Sequence, residues 1–175
     1  MRPSFFIFSL PRSGSSWLSV FLTGPGSYCY HEPTADYSPE EWKAVVKHRP
    51  EKIIGGVDTG AYCFALDTWT AFPKTKFFTL CRDPHDINKS TRWLKIEGYD
   101  AFYERERLDA LNHEHILYSK LHDLGYLEEV WARVIGTEFD SERAEQLIEM
   151  RIERDITNFF TTHQLTQYVE RRLDS

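Results

Sequence analysis

Positive charge is in short supply in this chain: Lys and Arg total 21 against 27 Asp and Glu, a formal net charge of −6. A nucleic-acid binder shows a basic face, so this balance argues against one. It leaves room for a small anionic ligand held by a few local cations. Long hydrophobic runs are missing too, and nothing approaches the roughly 20 apolar residues of a membrane span. The apolar run from Phe5 to Leu10 is too short for a secretory signal and is broken by Pro11-Arg12, so no signal peptide is expected. Cysteine is scarce. Cys29, Cys63 and Cys81 are odd in number and lack metal-ligand spacing. A disulfide framework is therefore not expected, and a reducing cytoplasm is the expected setting. No internal repeat or low-complexity tract occurs. The common phosphate loop, G-x-x-x-x-G-K-S/T, is also absent.

The remainder fits one globular domain. The 175 residues are 41% hydrophobic and 27% charged, enough for a single core. An aromatic share of 15% calls for wide apolar surfaces to be buried or used for stacking.

The most informative stretch runs from Phe5 to Leu18. It begins as a buried strand, breaks at Pro11 and Gly14, and resumes as an apolar, helix-compatible segment. A strand, a small-residue loop and a helix aim backbone N–H groups and the positive end of a helix dipole at an anion. Arg12 adds a fixed positive charge inside that loop. The alternative is an ordinary strand-to-helix turn with serine caps.

A second segment has the same plan. Lys76 to Cys81 reads as a strand with Arg82 at its end. Asp83 then caps a helix with Pro84 at its first position and Asp86 in its first turn. Ser90 falls on roughly the same helix face as Asp83 and Asp86. An Arg at the carboxyl end of a strand and a hydroxyl on the next helix can grip one more phosphate, at the place where open α/β sheets bind ligands. Alternatively, Arg82 pairs with Asp83 or Asp86 and Ser90 is solvated.

Elsewhere, Tyr28 to Pro33 reads as a short extended piece. Ser38-Pro39-Glu40-Glu41 is a capping box opening a helix to about His48. Lys52 to Val57 reads as a strand, Ala61 to Phe72 as a helix, and the Asp83 helix runs to about Ile96. Strands alternating with helices predict parallel pairing. After Gly98 the pattern turns helical: Ala101 to Leu124, Leu127 to Ile135, Glu142 to Glu153 and Asp155 to Leu173. The expected organisation is a parallel-sheet part, residues 1–97, and a helical part, 98–175, within one domain. His113-Glu114-His115 invites a metal reading. On the expected helix, residues two apart point to different sides, so no metal site is predicted.

Together the two segments resemble the sulfotransferase family. Pro11-Arg12-Ser13-Gly14-Ser15-Ser16-Trp17 matches the family's first loop, Pro-Lys/Arg-Ser-Gly-Ser/Thr-Ser/Thr-Trp. Arg82 and Ser90 fall in a similar R-D-P-x-D-x-x-x-S pattern. Gly136 to Arg143 looks like a loop-to-helix segment of bacterial-type members. The late basic, glycine-containing loop of many members has no match, and Arg171-Arg172 is a poor substitute for it.

The resemblance implies a P-loop-like three-layer α/β fold: a small parallel sheet flanked by helices, with a helical C-terminal half. It implies transfer of a sulfuryl group from PAPS (3′-phosphoadenosine 5′-phosphosulfate) to a hydroxyl or amine, without a metal. Arg12, Ser13, Gly14, Ser15 and Ser16 would hold the 5′-phosphosulfate. Arg82 and Ser90 would hold the 3′-phosphate. Trp17 would stack on adenine or else belong to the core. Arg12 would also stabilise the leaving phosphate. Glu32 or His31 would take the acceptor's proton, with Asp58 a third choice. The acceptor, a small molecule or glycan, stays open. A non-catalytic 3′-phosphoadenosine-binding module and a nucleotide or metabolite kinase are the rival functions. Oligomeric state stays open too, because the amphipathic second half can cover its own sheet or a neighbour's.

Overall fold

The computed structural model describes residues 3–150. The expected helix from Asp155 to Leu173, with Arg171-Arg172, lies outside the described residues. Five strands form one parallel sheet: β1 (Phe5–Ser9), β2 (Ser27–His31), β3 (Ile53–Asp58), β4 (Lys76–Cys81) and β5 (Glu114–Leu117), in the order β2-β3-β1-β4-β5. Every residue of central β1 is buried, as a strand covered on both faces requires.

Helices fill both faces. On one side, Ile7, Phe78, Leu80 and Ile116 meet α1 (Ser15–Phe21), α7 (Leu124–Val134) and α8 (Ser141–Glu149). On the other side, Phe6, Phe8 and Ile54 meet α3 (Pro39–Lys47), α4 (Ala65–Ala71), α5 (Pro84–Trp93) and α6 (Ala101–Asp109). A short α2 (Pro33–Asp36) follows β2. Phe5 explains one glycine of β3. It pairs in register with Gly55, where a Cβ would stand 2.4 Å from its ring carbons. Only a residue without a side chain lets the ring lie there.

The capping box of α3 forms as expected: the Ser38 hydroxyl accepts from Glu41 N–H, and the Glu41 carboxylate accepts from Ser38 N–H. Asp83 caps α5, accepting from His85 N–H at 2.8 Å. Three readings are corrected. The Ala61 to Phe72 helix is a 3₁₀ turn, Ala61–Phe64, followed by α4. The helix from Asp83 stops at Trp93, because Lys95 turns to a left-handed φ of 57°. The long helix from Ala101 to Leu124 ends at Asp109. The chain then turns through Asn112, φ 53°, into β5. The open edge of β4 offers backbone partners that a local helical pattern cannot anticipate.

The crossovers place the binding crevice. From β1 the chain winds to β2 at one edge, returns through β3, and passes β1 to reach β4 on the other side. Ligands in such sheets bind beyond the carboxyl ends of the strands, where the winding direction reverses. That point lies above β1 and between β3 and β4. Among the described residues, no helix is long and apolar enough to cross a membrane.

Candidate active site

Four parallel strands deliver side chains to the same rim. β1 leads into the Pro11–Gly14 loop, β2 ends at His31-Glu32, β3 ends at Asp58, and β4 is followed by Arg82. Loop and helix join tightly. Gly14 takes φ 85° as the N-cap of α1, and no side chain caps that helix. Its first-turn N–H groups therefore have no intrahelical partner. The Ser13 N–H is turned back to the Leu10 carbonyl, 3.3 Å away. Ser13 itself is buried, and its hydroxyl has no partner among the described residues.

Arg12 takes a left-handed φ of 66°, uncommon for a non-glycine residue. Its Nε donates to Ser90 Oγ at 2.9 Å. Its carbonyl accepts from Arg82 Nη1 at 2.6 Å. The first motif's arginine thus touches both residues of the second motif. Among the described residues no carboxylate is paired with Arg12. The Arg82 guanidinium lies over the Tyr118 ring, 4.2 Å from its centre, a cation–π contact. The Arg82 carbonyl accepts from Arg105 Nη1 at 3.1 Å.

The two base candidates sit on the loop's other flank. His31 Nε2 is 3.1 Å from Ser15 Oγ and 3.1 Å from Ser16 Oγ. It is also 3.4 Å from Glu32 Oε1. Burial lowers the imidazole pKa to about 4, against the opposing pull of Asp58, so the ring is neutral at pH 7. Glu32 also has a left-handed φ, 54°. Its Oε2 accepts from Thr59 N–H at 2.9 Å and Thr59 Oγ1 at 3.0 Å. Burial first, and the Asp58 charge second, push its carboxyl up to about 7, while the Thr59 bonds pull the other way. Two of the candidate residues thus hold a backbone conformation that the surrounding structure must enforce, a pattern concentrated at functional sites.

Asp58 stands apart from them. It is 1% exposed. Oδ2 accepts from Thr34 N–H at 2.9 Å and Thr34 Oγ1 at 2.6 Å, and Oδ1 accepts from the N–H groups of Gly60 and Ala61 at 2.9 and 2.8 Å. Four donors occupy this carboxylate, so its chemistry is to tie β3 to α2 and to the 3₁₀ turn.

Trp17 lies in the packing between α1 and α8. Its ring stacks on Phe21, centroids 5.4 Å apart, and its Nε1 donates to the Leu147 carbonyl at 2.9 Å. Sequence reasoning missed Tyr118, Arg105 and Thr59. Tyr118 falls in the expected long helix, where it has no route to Arg82. Arg105 keeps its helix, and it reaches the Arg82 carbonyl through tertiary packing that the sequence pattern does not show. The alternation around Ile116 was the available signal for a strand. Thr59 carries no signal beyond its place after Asp58.

The arrangement is an anion cradle with a neighbouring carboxylate poised near neutrality. Arg12, which has no carboxylate partner among the described residues, the uncapped start of α1 and Arg82 beside them could together hold an anionic group.

Solved structures carry the same fold. The chain is similar to a sulfotransferase from Alicyclobacillus acidocaldarius, with a TM-score of 0.55 and 15% identity over 81% of this chain and 85% of that one. It is similar to the sulfotransferase domain of the Synechococcus PCC 7002 olefin synthase, at 0.59 and 16% over 97% and 94%. It is also similar to mouse sulfotransferase SULT7A1, solved in complex with PAP, at 0.57 and 14% over 90% and 68%. No protein-family model matches the sequence, and no curated protein does. The fold is therefore that of the sulfotransferases. It agrees with the family that the two sequence motifs resemble.

Proposed function

We propose that this protein is a sulfotransferase that moves a sulfuryl group from PAPS to a hydroxyl or amine of a small-molecule or glycan acceptor, by in-line transfer and without a metal. The observation that carries this reading is the direct connection of Arg12 to both Arg82 and Ser90. It joins two loops that separately resemble the 5′- and 3′-phosphate sites of one nucleotide.

In this reading the acceptor oxygen or nitrogen attacks sulfur as the bond from sulfur to the 5′-phosphate oxygen breaks. The electron pair of that bond leaves with the phosphate. Arg12 and the first-turn N–H groups of α1 stabilise the growing charge, an oxyanion-type effect. Most of the remaining work is positioning, as in phosphoryl transfer. Glu32 takes the acceptor's proton. Its carboxyl near pH 7 suits a general base, and neutral His31 holds Ser15 and Ser16 beside it. Asp58 serves as a positioning residue for the turn that carries Thr59. Trp17 anchors the loop to α8, with its remaining surface next to the nucleotide.

The test is to incubate the protein with PAPS and a panel of sugars, phenols, alcohols and amines. The expected result is release of adenosine 3′,5′-bisphosphate in step with a sulfated product, slowed about 10²–10³-fold in Arg12→Ala. Binding of the bisphosphate without transfer to any acceptor would instead indicate a nucleotide-binding module.

A further inference from the structure

β4 and β5 bring together a second constellation, at the edge of the sheet just before Arg82. Thr79 pairs in register with His115, and Cys81 lies two residues beyond Thr79 on the same strand. In a sheet, register partners and alternate residues share a face, so Cys81 and His115 stand on one side together. α6, which packs on that side, ends at Asp109. The Cys81 thiol, a carboxylate oxygen of Asp109 and a ring nitrogen of His115 all lie within 4.8 Å of one another. Among the described residues this is the one group of three His, Cys, Asp or Glu side chains whose donor atoms converge.

The donor set is chemically selective. Thiolate and imidazole suit zinc and related transition metals and disfavour Mg²⁺ and Ca²⁺, which take oxygen ligands. Three protein ligands leave a fourth tetrahedral position for water. Cys81 is buried, whereas Asp109 and His115 are exposed, which gives the ion a way in. The present partners are replaceable. The thiol has only weak contacts with the Thr79 carbonyl and hydroxyl, at 3.9 and 3.7 Å. Asp109 uses Oδ1 for Arg105 Nε at 2.7 Å, and its carboxylate has a second oxygen to offer. Ala101 and Leu108 are the buried residues of α6, and the cluster sits where that helix ends.

We propose that Cys81, Asp109 and His115 form a zinc-type metal site that fastens the end of α6 to the edge of the sheet. On binding, a bond forms from Cys81 Sγ to the metal and the thiol proton passes to solvent. His115 binds through the lone pair of a ring nitrogen. The expected spacing rule had dismissed His113 and His115 on a helix. In the fold His115 lies on β5, whereas His113 precedes the strand and is stacked against Phe8 and Phe77, at 5.9 and 5.6 Å, and Cys81 and Asp109 are His115's companions.

Titration of the full chain with Co²⁺ tests this independently of any nucleotide. The expected result is one equivalent bound, with thiolate-to-cobalt charge-transfer absorption and tetrahedral d–d bands that Zn²⁺ displaces. Both signals should vanish in Cys81→Ser and in His115→Ala and persist in Cys63→Ser, and Zn²⁺ should raise the unfolding temperature of the wild type but not of His115→Ala. Absence of the bands in the wild type would overturn the proposal, as would their survival in His115→Ala. If Cys81→Ser does not fold, His115→Ala, at an exposed position, decides alone.

Discussion

Arg82 reaches from the end of β4 to the carbonyl of Arg12, 2.6 Å away, so each arginine fixes the other's loop. Seventy residues of chain separate them, and the central position of β1 beside β4 brings them together. The same contact ties the proposed 5′-phosphosulfate loop to the proposed 3′-phosphate loop.

Removing either guanidinium should have different effects. Arg12→Ala should lower kcat by about 10²–10³, the usual consequence of losing a donor to developing charge. Arg82→Ala should mainly weaken nucleotide binding, by about 10- to 100-fold, as expected for a lost charge-assisted hydrogen bond. Steady-state kinetics with varied PAPS separates the two. Equal effects on kcat from both variants would contradict the division of roles.

The Glu32 carboxyl predicts a pH profile. A base works only when deprotonated, so turnover should rise with pH through about 7. Glu32→Gln should lower kcat by about 10²–10⁴ and flatten that limb. A rising limb of the same position in Glu32→Gln would assign it to another group.

The neighbouring His31 and Glu32 also make opposite contributions to stability. The folded-state pKa of His31 is lowered, to about 4, so the unfolded chain binds more protons and stability falls as pH drops from about 6.5 toward 4. That of Glu32 is raised, to about 7, so the folded chain binds more protons and its contribution is lost as pH rises from about 4.5 toward 7. Urea unfolding across pH 4–7 should therefore tilt in opposite directions in the two variants. Glu32→Gln should gain stability with rising pH, and His31→Asn should lose it.

Gly55→Ala should destabilise the fold. A Cβ at that point stands 2.4 Å from the Phe5 ring, and overpacking of this kind costs about 1–3 kcal/mol. The urea midpoint should fall. Phe5→Leu in the same chain should recover part of the loss by opening that space.

Much of this was legible in the sequence, for local reasons. The Ser38 box and the Asp83 cap are encoded within four residues, and both form. The strand-loop-helix pattern of Phe5 to Leu18 is also local, and the proximity of Arg12 to Ser90 followed from the two motifs. What escaped depends on distant chain. β5 exists because β4 offers it an edge, and Tyr118 meets Arg82 only once that pairing forms. The four donors on Asp58 come from two different turns. Only the fold reveals that this carboxylate is occupied, whereas Glu32 keeps one oxygen beside His31.

The most direct measurement is calorimetry of adenosine 3′,5′-bisphosphate against ATP on the wild type, Arg12→Ala and Arg82→Ala. The account predicts a clear preference for the bisphosphate, reduced in each variant. Equal or tighter binding of ATP, or bisphosphate binding untouched by both substitutions, would contradict the pairing of Arg12 and Arg82 around one nucleotide.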